Sequence, residues 1–266
     1  MILVNGQPGE QVPVTDRGLA YGDGLFETLA VRGGQPQHWE RHMARMAEGC
    51  VRLALPMPDP AVWRAEAQTV LSSGHCGALK LILTRGAGPR GYRPPPYSSP
   101  TRIVMGLDAA VAPAAEGLKV RTCRTRLSRN PLLAGVKHLN RLEQVLARGE
   151  WQDEFQEGIM LDTEGYVVEG TMSNLFLVRE HALHTPLLDQ CGVAGITRAR
   201  VMDAARRLGI HVQEGHYLAD DLSASQGLFL TGTLLGVRPV VELDGQSLPR
   251  SALVSRLREA LEGDAS

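Results

Sequence analysis

One lysine in this chain has both the residue type and the setting for covalent chemistry. Lys137 lies in the run NPLLAGVKHLNRLEQVLAR, residues 130–148. Leu132, Leu133 and Val136 precede it, and Leu139, Leu142, Val145 and Leu146 follow at the spacing of one helical stripe, so the pattern predicts Lys137 at a helix entrance. An ammonium held among apolar neighbours is partly desolvated. Desolvation disfavours the charged form and frees a neutral amine to attack a carbonyl, which is what a Schiff-base lysine requires. The competing reading is a surface lysine whose stem lies along those neighbours while its charge stays in water.

Other spacings carry weaker signals. His38 and His42 lie four apart and could share one helical face toward a metal, but no Glu follows His38 and no third ligand is evident, so no metal site is expected. Gly86, Gly88 and Gly91 spell the dinucleotide fingerprint G-x-G-x-x-G. That fingerprint needs a helix opening at its last glycine, and Tyr92-Arg93-Pro94-Pro95-Pro96 cannot propagate one, so the stretch reads as a loop. Gly192–Thr197 precedes a helical pattern, and the free N–H groups of such a helix start suit a phosphate, although every helix has such an end.

Composition narrows the class of partner. The chain has 266 residues, with Lys+Arg 28 against Asp+Glu 29 and a formal net charge of −1, which gives no electrostatic reason to bind nucleic acid or an anionic membrane. A small-molecule substrate is expected. Cys50, Cys76, Cys123 and Cys191 are scattered without a C-x-x-C pair, as free thiols in a reducing compartment would be. The opening MILV is too short and uncharged for a signal peptide and no apolar run reaches the length of a membrane span, so the expected location is the cytoplasm.

The elements that must position these residues read as α/β. Residues 1–14 suggest short strands joined at Asn5-Gly6 or Pro8-Gly9, and DRGLAYGDGLFETLAVRGG suggests a glycine-punctuated loop before a strand from Leu25 to Val31. His38 to Leu55 reads as a helix with Met43, Met46, Ala47, Cys50, Val51 and Ala54 on one face, and Arg45 falls off that stripe, where arginines are usually solvated. A second helix is expected over 61–73, then strands from Ala78 to Thr84 and Arg102 to Leu107. The small-residue and proline stretch that follows predicts a linker at 109–116, dividing a domain of residues 1–108 from one of residues 117–266. Beyond it come a strand from Leu118 to Cys123, the lysine segment, three strands in GIMLDTEGYVVEGTMSNLFLV, a helix from Arg198 to Leu208 and a closing helix over 250–262. Alternation puts Val167 and Glu169 on one strand face, so that carboxylate projects inward, where its bland role is to pair with a nearby cation.

The lysine segment, DRGLAYGDGLFETLAVRGG, TRGAGPRGY and the GITR and LTGTLLGVRPV turns together resemble the fold-type IV pyridoxal-phosphate family over essentially the whole chain. NPLLAGVKHLNRLEQVLAR is closer to the family's lyases than to its branched-chain or D-amino-acid aminotransferases. The resemblance implies a two-domain fold like that of D-amino-acid aminotransferase, pyridoxal 5'-phosphate as cofactor, a homodimer, and elimination of pyruvate from an amino-bearing ring. It further implies that Lys137 carries the cofactor and that Glu169 faces the pyridine nitrogen. By the same likeness Arg45, Gly195, Ile196, Thr197 and Thr233 meet the phosphate. Arg90, Tyr92 and Asn140 are the implied substrate contacts. Glu27, in GDGLFET, is shared with the aminotransferases, which keeps transamination open. A catalytically silent binding protein on the same fold is the remaining alternative.

Overall fold

The computed structural model describes residues 1–74, 76–109 and 117–263, and it divides into two compact units. The first holds the chain up to 109 together with Val136–Asn140, and the second holds residues 117–135 and 141–263. Apart from residue 109, the expected linker lies outside the described residues.

The first unit opens with β1 (Ile2–Val4) and β2 (Gln7–Pro8), joined by Asn5 and Gly6, both at positive φ, the backbone that a two-residue hairpin of this twist demands. Then come α1 (Arg17–Tyr21), β3 (Gly24–Arg32), β4 (Gln35–Pro36), α2 (Trp39–Arg52), α3 (Pro60–Ser72), β5 (Ala78–Thr84) and β6 (Thr101–Leu107). The strands form one antiparallel sheet in the order β2-β1-β6-β5-β3-β4. Alternation along β3 and β5 turns Leu25, Leu29, Leu79, Leu81 and Leu83 to one face, which shares a core with Met43, Met46 and Cys50 of α2 and Trp63, Ala67 and Val70 of α3. Val51, expected on the buried stripe of α2, is exposed; the stripe that packs is Met43, Met46 and Cys50.

The second unit contains β7 (Leu118–Leu127), α4 (Leu142–Arg148), β8 (Glu157–Asp162), β9 (Val167–Gly170), β10 (Asn174–Arg179) and β11 (Ala182–Pro186). It continues through α5 (Ile196–Arg207), β12 (Val212–Gly215), α6 (Ala219–Ser223), β13 (Gly227–Gly232), β14 (Gly236–Leu243), β15 (Gln246–Ser247) and α7 (Ala252–Gly263). Its sheet runs β12-β11-β10-β13-β14-β7-β8-β9, with β15 beside β14. The pairs β14–β7, β7–β8 and β11–β12 are parallel. Both faces are covered. Leu175, Leu177, Leu228 and Leu230 join one core, whereas Phe176, Val178 and Phe229 join another with Val201, Ala204 and Ala205 of α5 and Leu257 of α7. That double burial explains why β8 and β10 read as nearly continuous apolar runs.

The lysine segment departs from expectation. Lys137 is not at a helix entrance, because α4 begins only at Leu142. Residues 137–139 are outside any helix instead, with His138 bridged to Leu25 and backbone hydrogen bonds holding the segment to the start of β3. The helical spacing of Leu142, Val145 and Leu146 is real, but those residues face outward, and α4 buries Gln144 and Ala147.

Candidate active site

In the first unit, three contacts run along the edge of β3. Phe26 N–H donates to the Lys137 carbonyl at 3.1 Å, Leu139 N–H donates to the Gly24 carbonyl at 3.0 Å, and Asn140 Nδ2 donates to the Gly22 carbonyl at 3.1 Å. Such close approach requires glycine on the facing strand. A Cβ at Gly24 would lie 2.3 Å from the Leu83 carbonyl oxygen and 2.8 Å from Leu139, and one at Gly22, whose φ is +65°, would lie 2.5 Å from Asn140. With its backbone held on both sides, Lys137 presents a half-buried side chain whose Nζ stands 4.2 Å from the centre of the Phe26 ring. Lys80, on the strand next to β3, places its own Nζ 5.5 Å from the same ring.

Arg45 is not a solvated arginine. Its side chain is 10% exposed, and Nε and Nη2 donate to Oε1 and Oε2 of Glu27 at 2.8 and 2.5 Å. Glu27 sits on the core face of β3 between Leu25 and Leu29, and its Oε2 also lies 2.7 Å from Nδ1 of fully buried His42. Burial pushes the Glu27 carboxyl upward, but the His42 hydrogen bond and the Arg45 charge outweigh it and hold the group below the ordinary carboxylate range.

The Gly86–Gly91 stretch is a loop, and the next element is β6, so no helix opens there. Arg90 and Tyr92 are both exposed on it or just beyond it. The loop is nevertheless anchored. Buried Arg17 donates to the carbonyls of Gly91 and Tyr92 at 2.8 and 3.0 Å, Gly91 N–H donates to the Tyr21 hydroxyl at 3.1 Å, and the Tyr21 and Tyr92 rings meet edge to face. Asp23 accepts from Arg17 and Arg85 together. Sequence reasoning missed this anchor; its trace is the unusual placing of arginine inside two glycine-rich runs, DRG and TRG.

In the second unit, β9 is buried throughout and carries Glu169, which is 4% exposed and accepts the Val193 N–H on Oε2 at 2.8 Å. The 192–195 loop presses closely on this carboxylate and on β10. A Cβ at Gly192 would lie 2.8 Å from Val168 and 3.4 Å from Glu169 Oε2, and one at Gly195 would lie 2.0 Å from Asn174 Oδ1. Asn174 Nδ2 in turn donates to the Val193 carbonyl at 2.9 Å. Gly195 is the N-cap of α5 and offers no side chain to the first turn, in which Ile196 and Thr197 are buried. Thr233 is half-buried in the turn between β13 and β14. Glu157, which drew no attention in the sequence, organises the turn after Glu169. Buried at the head of β8, it accepts from the Thr171 hydroxyl, Ser173 Oγ at 2.9 Å, and the N–H groups of Thr171 and Met172 at 3.1 and 3.2 Å.

These residues comprise a primary amine on a rigid backbone, a deeply buried carboxylate behind a glycine loop, a helix start without a side-chain cap, and an oriented guanidinium. The chain belongs to the class IV aminotransferase family: the family model Amino-transferase class IV matches residues 24–243. It is similar to the aminodeoxychorismate lyase of Vibrio harveyi, with 35% identity and 99% of each chain covered. It is also similar to a putative branched-chain-amino-acid aminotransferase of Methanocaldococcus jannaschii, with 32% identity over 92% of this chain and 88% of that one. Among solved structures, the 4-amino-4-deoxychorismate lyase of Pseudomonas aeruginosa matches with a TM-score of 0.94, 46% identity and 99% of each chain covered. A hypothetical aminotransferase from Mycobacterium tuberculosis in its PLP-bound form matches with a TM-score of 0.85, 27% identity, 100% of this chain and 98% of that one.

The cofactor of this family is pyridoxal 5'-phosphate. In chemical type the residues of each unit suit such a group: the first offers an amine to an aldehyde, and the second offers an anion to a ring nitrogen and, for a phosphate, a glycine-capped helix start at which any larger residue at 195 would collide.

Proposed function

We propose that this chain is a lyase converting 4-amino-4-deoxychorismate to 4-aminobenzoate and pyruvate, a step of folate biosynthesis. The observation that carries the reading is the likeness of the whole chain to the Pseudomonas aeruginosa lyase at 46% identity, against 32% to the Methanocaldococcus jannaschii aminotransferase. When bound, pyridoxal phosphate supplies an electron sink next to the substrate amine. Lys137 would hold the cofactor through Nζ, and its amine would take the proton from the amine-bearing ring carbon of the substrate. Glu169 keeps the cofactor ring nitrogen protonated. Arg45, Gly195, Ile196, Thr197 and Thr233 hold the phosphate through one guanidinium, a hydroxyl pair and backbone N–H groups.

Loss of that ring proton followed by departure of the enolpyruvyl oxygen leaves an aromatic ring, a driving force that ordinary amino acids lack. Arg90, Tyr92 and Asn140 meet the substrate and its carboxylates; Asn140 Nδ2 gives one of its two N–H donors to Gly22, and its contribution is the other. Residues 1–108 and 117–266 form the two domains, except that residues 136–140 belong with the first unit; two copies associate as a homodimer, and the location is the cytoplasm. Support for the dimer comes from the outward apolar residues of α4, and support for the location from four free cysteines.

Transamination is the second reading, kept open by Glu27 in GDGLFET and supported by the aminotransferase relative. Purified holoenzyme given 4-amino-4-deoxychorismate and no keto acid should release 4-aminobenzoate and pyruvate over many turnovers. Product that stalls at one equivalent per site, or that needs added 2-oxoglutarate, would establish the aminotransferase instead.

A further inference from the structure

We propose that Glu27 and His42 are positioning residues that hold the Arg45 guanidinium in one orientation for the cofactor phosphate; this rests on the reading that Arg45 meets that phosphate. A long, flexible side chain makes a poor fixed anion site unless something restrains it. Glu27 does so from the side, taking Nε and Nη2 together, and the planarity of the guanidinium then fixes where the Nη1 donors point. The restraint is itself restrained. Oε2 of Glu27 also lies 2.7 Å from His42 Nδ1, and a carboxylate that accepts there requires the ring proton on Nδ1.

Stability does not account for the cluster. Glu27 is 1% exposed and His42 is 0% exposed, in the core that also holds Leu25, Leu29, Met43 and Met46. The second ring nitrogen, His42 Nε2, is buried with no hydrogen-bond partner among the described residues. Buried ion pairs are often replaced by apolar groups without loss of stability, and a buried polar atom left unpaired is a cost. What the carboxylate and imidazole supply is direction. Glu27 comes from β3 and His42 and Arg45 from adjacent turns of α2, so strand and helix are both tied to the guanidinium.

The test compares the affinities of the full-length protein, stripped of cofactor, for pyridoxal phosphate and for pyridoxal, which lacks the phosphate. Glu27→Gln should lower the preference for the phosphorylated form by roughly tenfold or more, the effect of disturbing a charge-assisted contact. Arg45→Gln should lower it as well, and the double variant should be no worse than Arg45→Gln alone, because Glu27 acts through Arg45. A merely structural role would weaken both ligands equally. If Arg45→Gln leaves the preference unchanged, the phosphate reading of Arg45 fails and the inference with it. If Arg45→Gln abolishes the preference and Glu27→Gln does not alter it, the positioning role alone is overturned. Should Glu27→Gln fail to fold, His42 decides: His42→Asn, which keeps an N–H near Nδ1, should retain the preference that His42→Leu loses, and equal values for the two would overturn the inference.

Discussion

The sequence pattern that singled out Lys137 only partly survives in the structure. Apolar neighbours do surround it in sequence, and Val136 is buried, but what positions the lysine is backbone pairing with β3, a contact across more than a hundred residues that no local pattern announces. Lys80 reaches toward the same Phe26 ring, which makes it a real competitor for the cofactor. Borohydride reduction of the holoenzyme followed by peptide mapping should find the label on Lys137, and a label on Lys80 or Lys119 would remove Lys137 from its role. Glu169 was readable from period-two alternation, since β9 is a short regular strand. The expected consequence of Glu169→Gln is a loss of turnover on the order of 10²-fold with much of the cofactor retained, as when another preorganised electrostatic group is removed. Near-normal kcat in that variant would show that the charge opposite the ring nitrogen is unnecessary. On helical pattern alone Arg45 reads as solvated, because that pattern weighs it only against the apolar stripe of its own helix, whereas its partner, Glu27, comes from a strand.

At the scale of elements, long strands covered on two faces and amphipathic α2 were readable because their periodicity reports burial directly. The strands β11 and β12 and the short helix α6 were not: β12 mixes exposed and half-buried positions, and β11 and α6 span five residues each, too few for a period to stand out. Glycine placement was visible in the sequence, but its meaning was not. At Gly24 a Cβ would strike the backbone carbonyl of Leu83, so Gly24→Ala should destabilise the protein by about 1–3 kcal/mol, the range of an overpacked core. Thermal unfolding checks this, with Gly33→Asn as the control, since its surroundings are open and its positive φ suits Asn.

The segment between α1 and β3 carries a pH dependence. Burial acts to raise the Asp23 carboxyl, but hydrogen bonds from Arg85 and Arg17 outweigh it and hold it below the ordinary value of 3.8. A depressed carboxylate contributes stability that is present above its unfolded pKa and is lost as pH falls through its folded one. The stability difference between the wild type and Asp23→Asn should therefore be full at pH ~7 and shrink below pH ~4. Melting temperatures at both pH values measure it, and a difference that persists undiminished in acid would mean that Asp23 acts through shape rather than charge.

At the scale of the whole molecule, α4 presents an apolar stripe to solvent. Leu142, Val145 and Leu146 recur at helical spacing yet are 70, 63 and 59% exposed, while the opposite side of the helix buries Gln144 and Ala147 in the neighbourhood of Trp151. Leu132 is exposed as well. Single exposed leucines are ordinary, but a contiguous outward stripe on a helix costs hydration free energy of about 25 cal/mol for each Å² left in water. A second copy of the chain is the cover that the family resemblance implies, and a two-fold contact would bury the same stripe twice. In sedimentation at micromolar concentration the wild type should run at twice the 28.8 kDa of one chain. Leu142→Lys with Leu146→Lys should shift it to a single chain, because two ammonium groups would face two more across the axis. A wild type that sediments as one chain would exclude the dimer, and a double variant that stays paired would place the interface elsewhere.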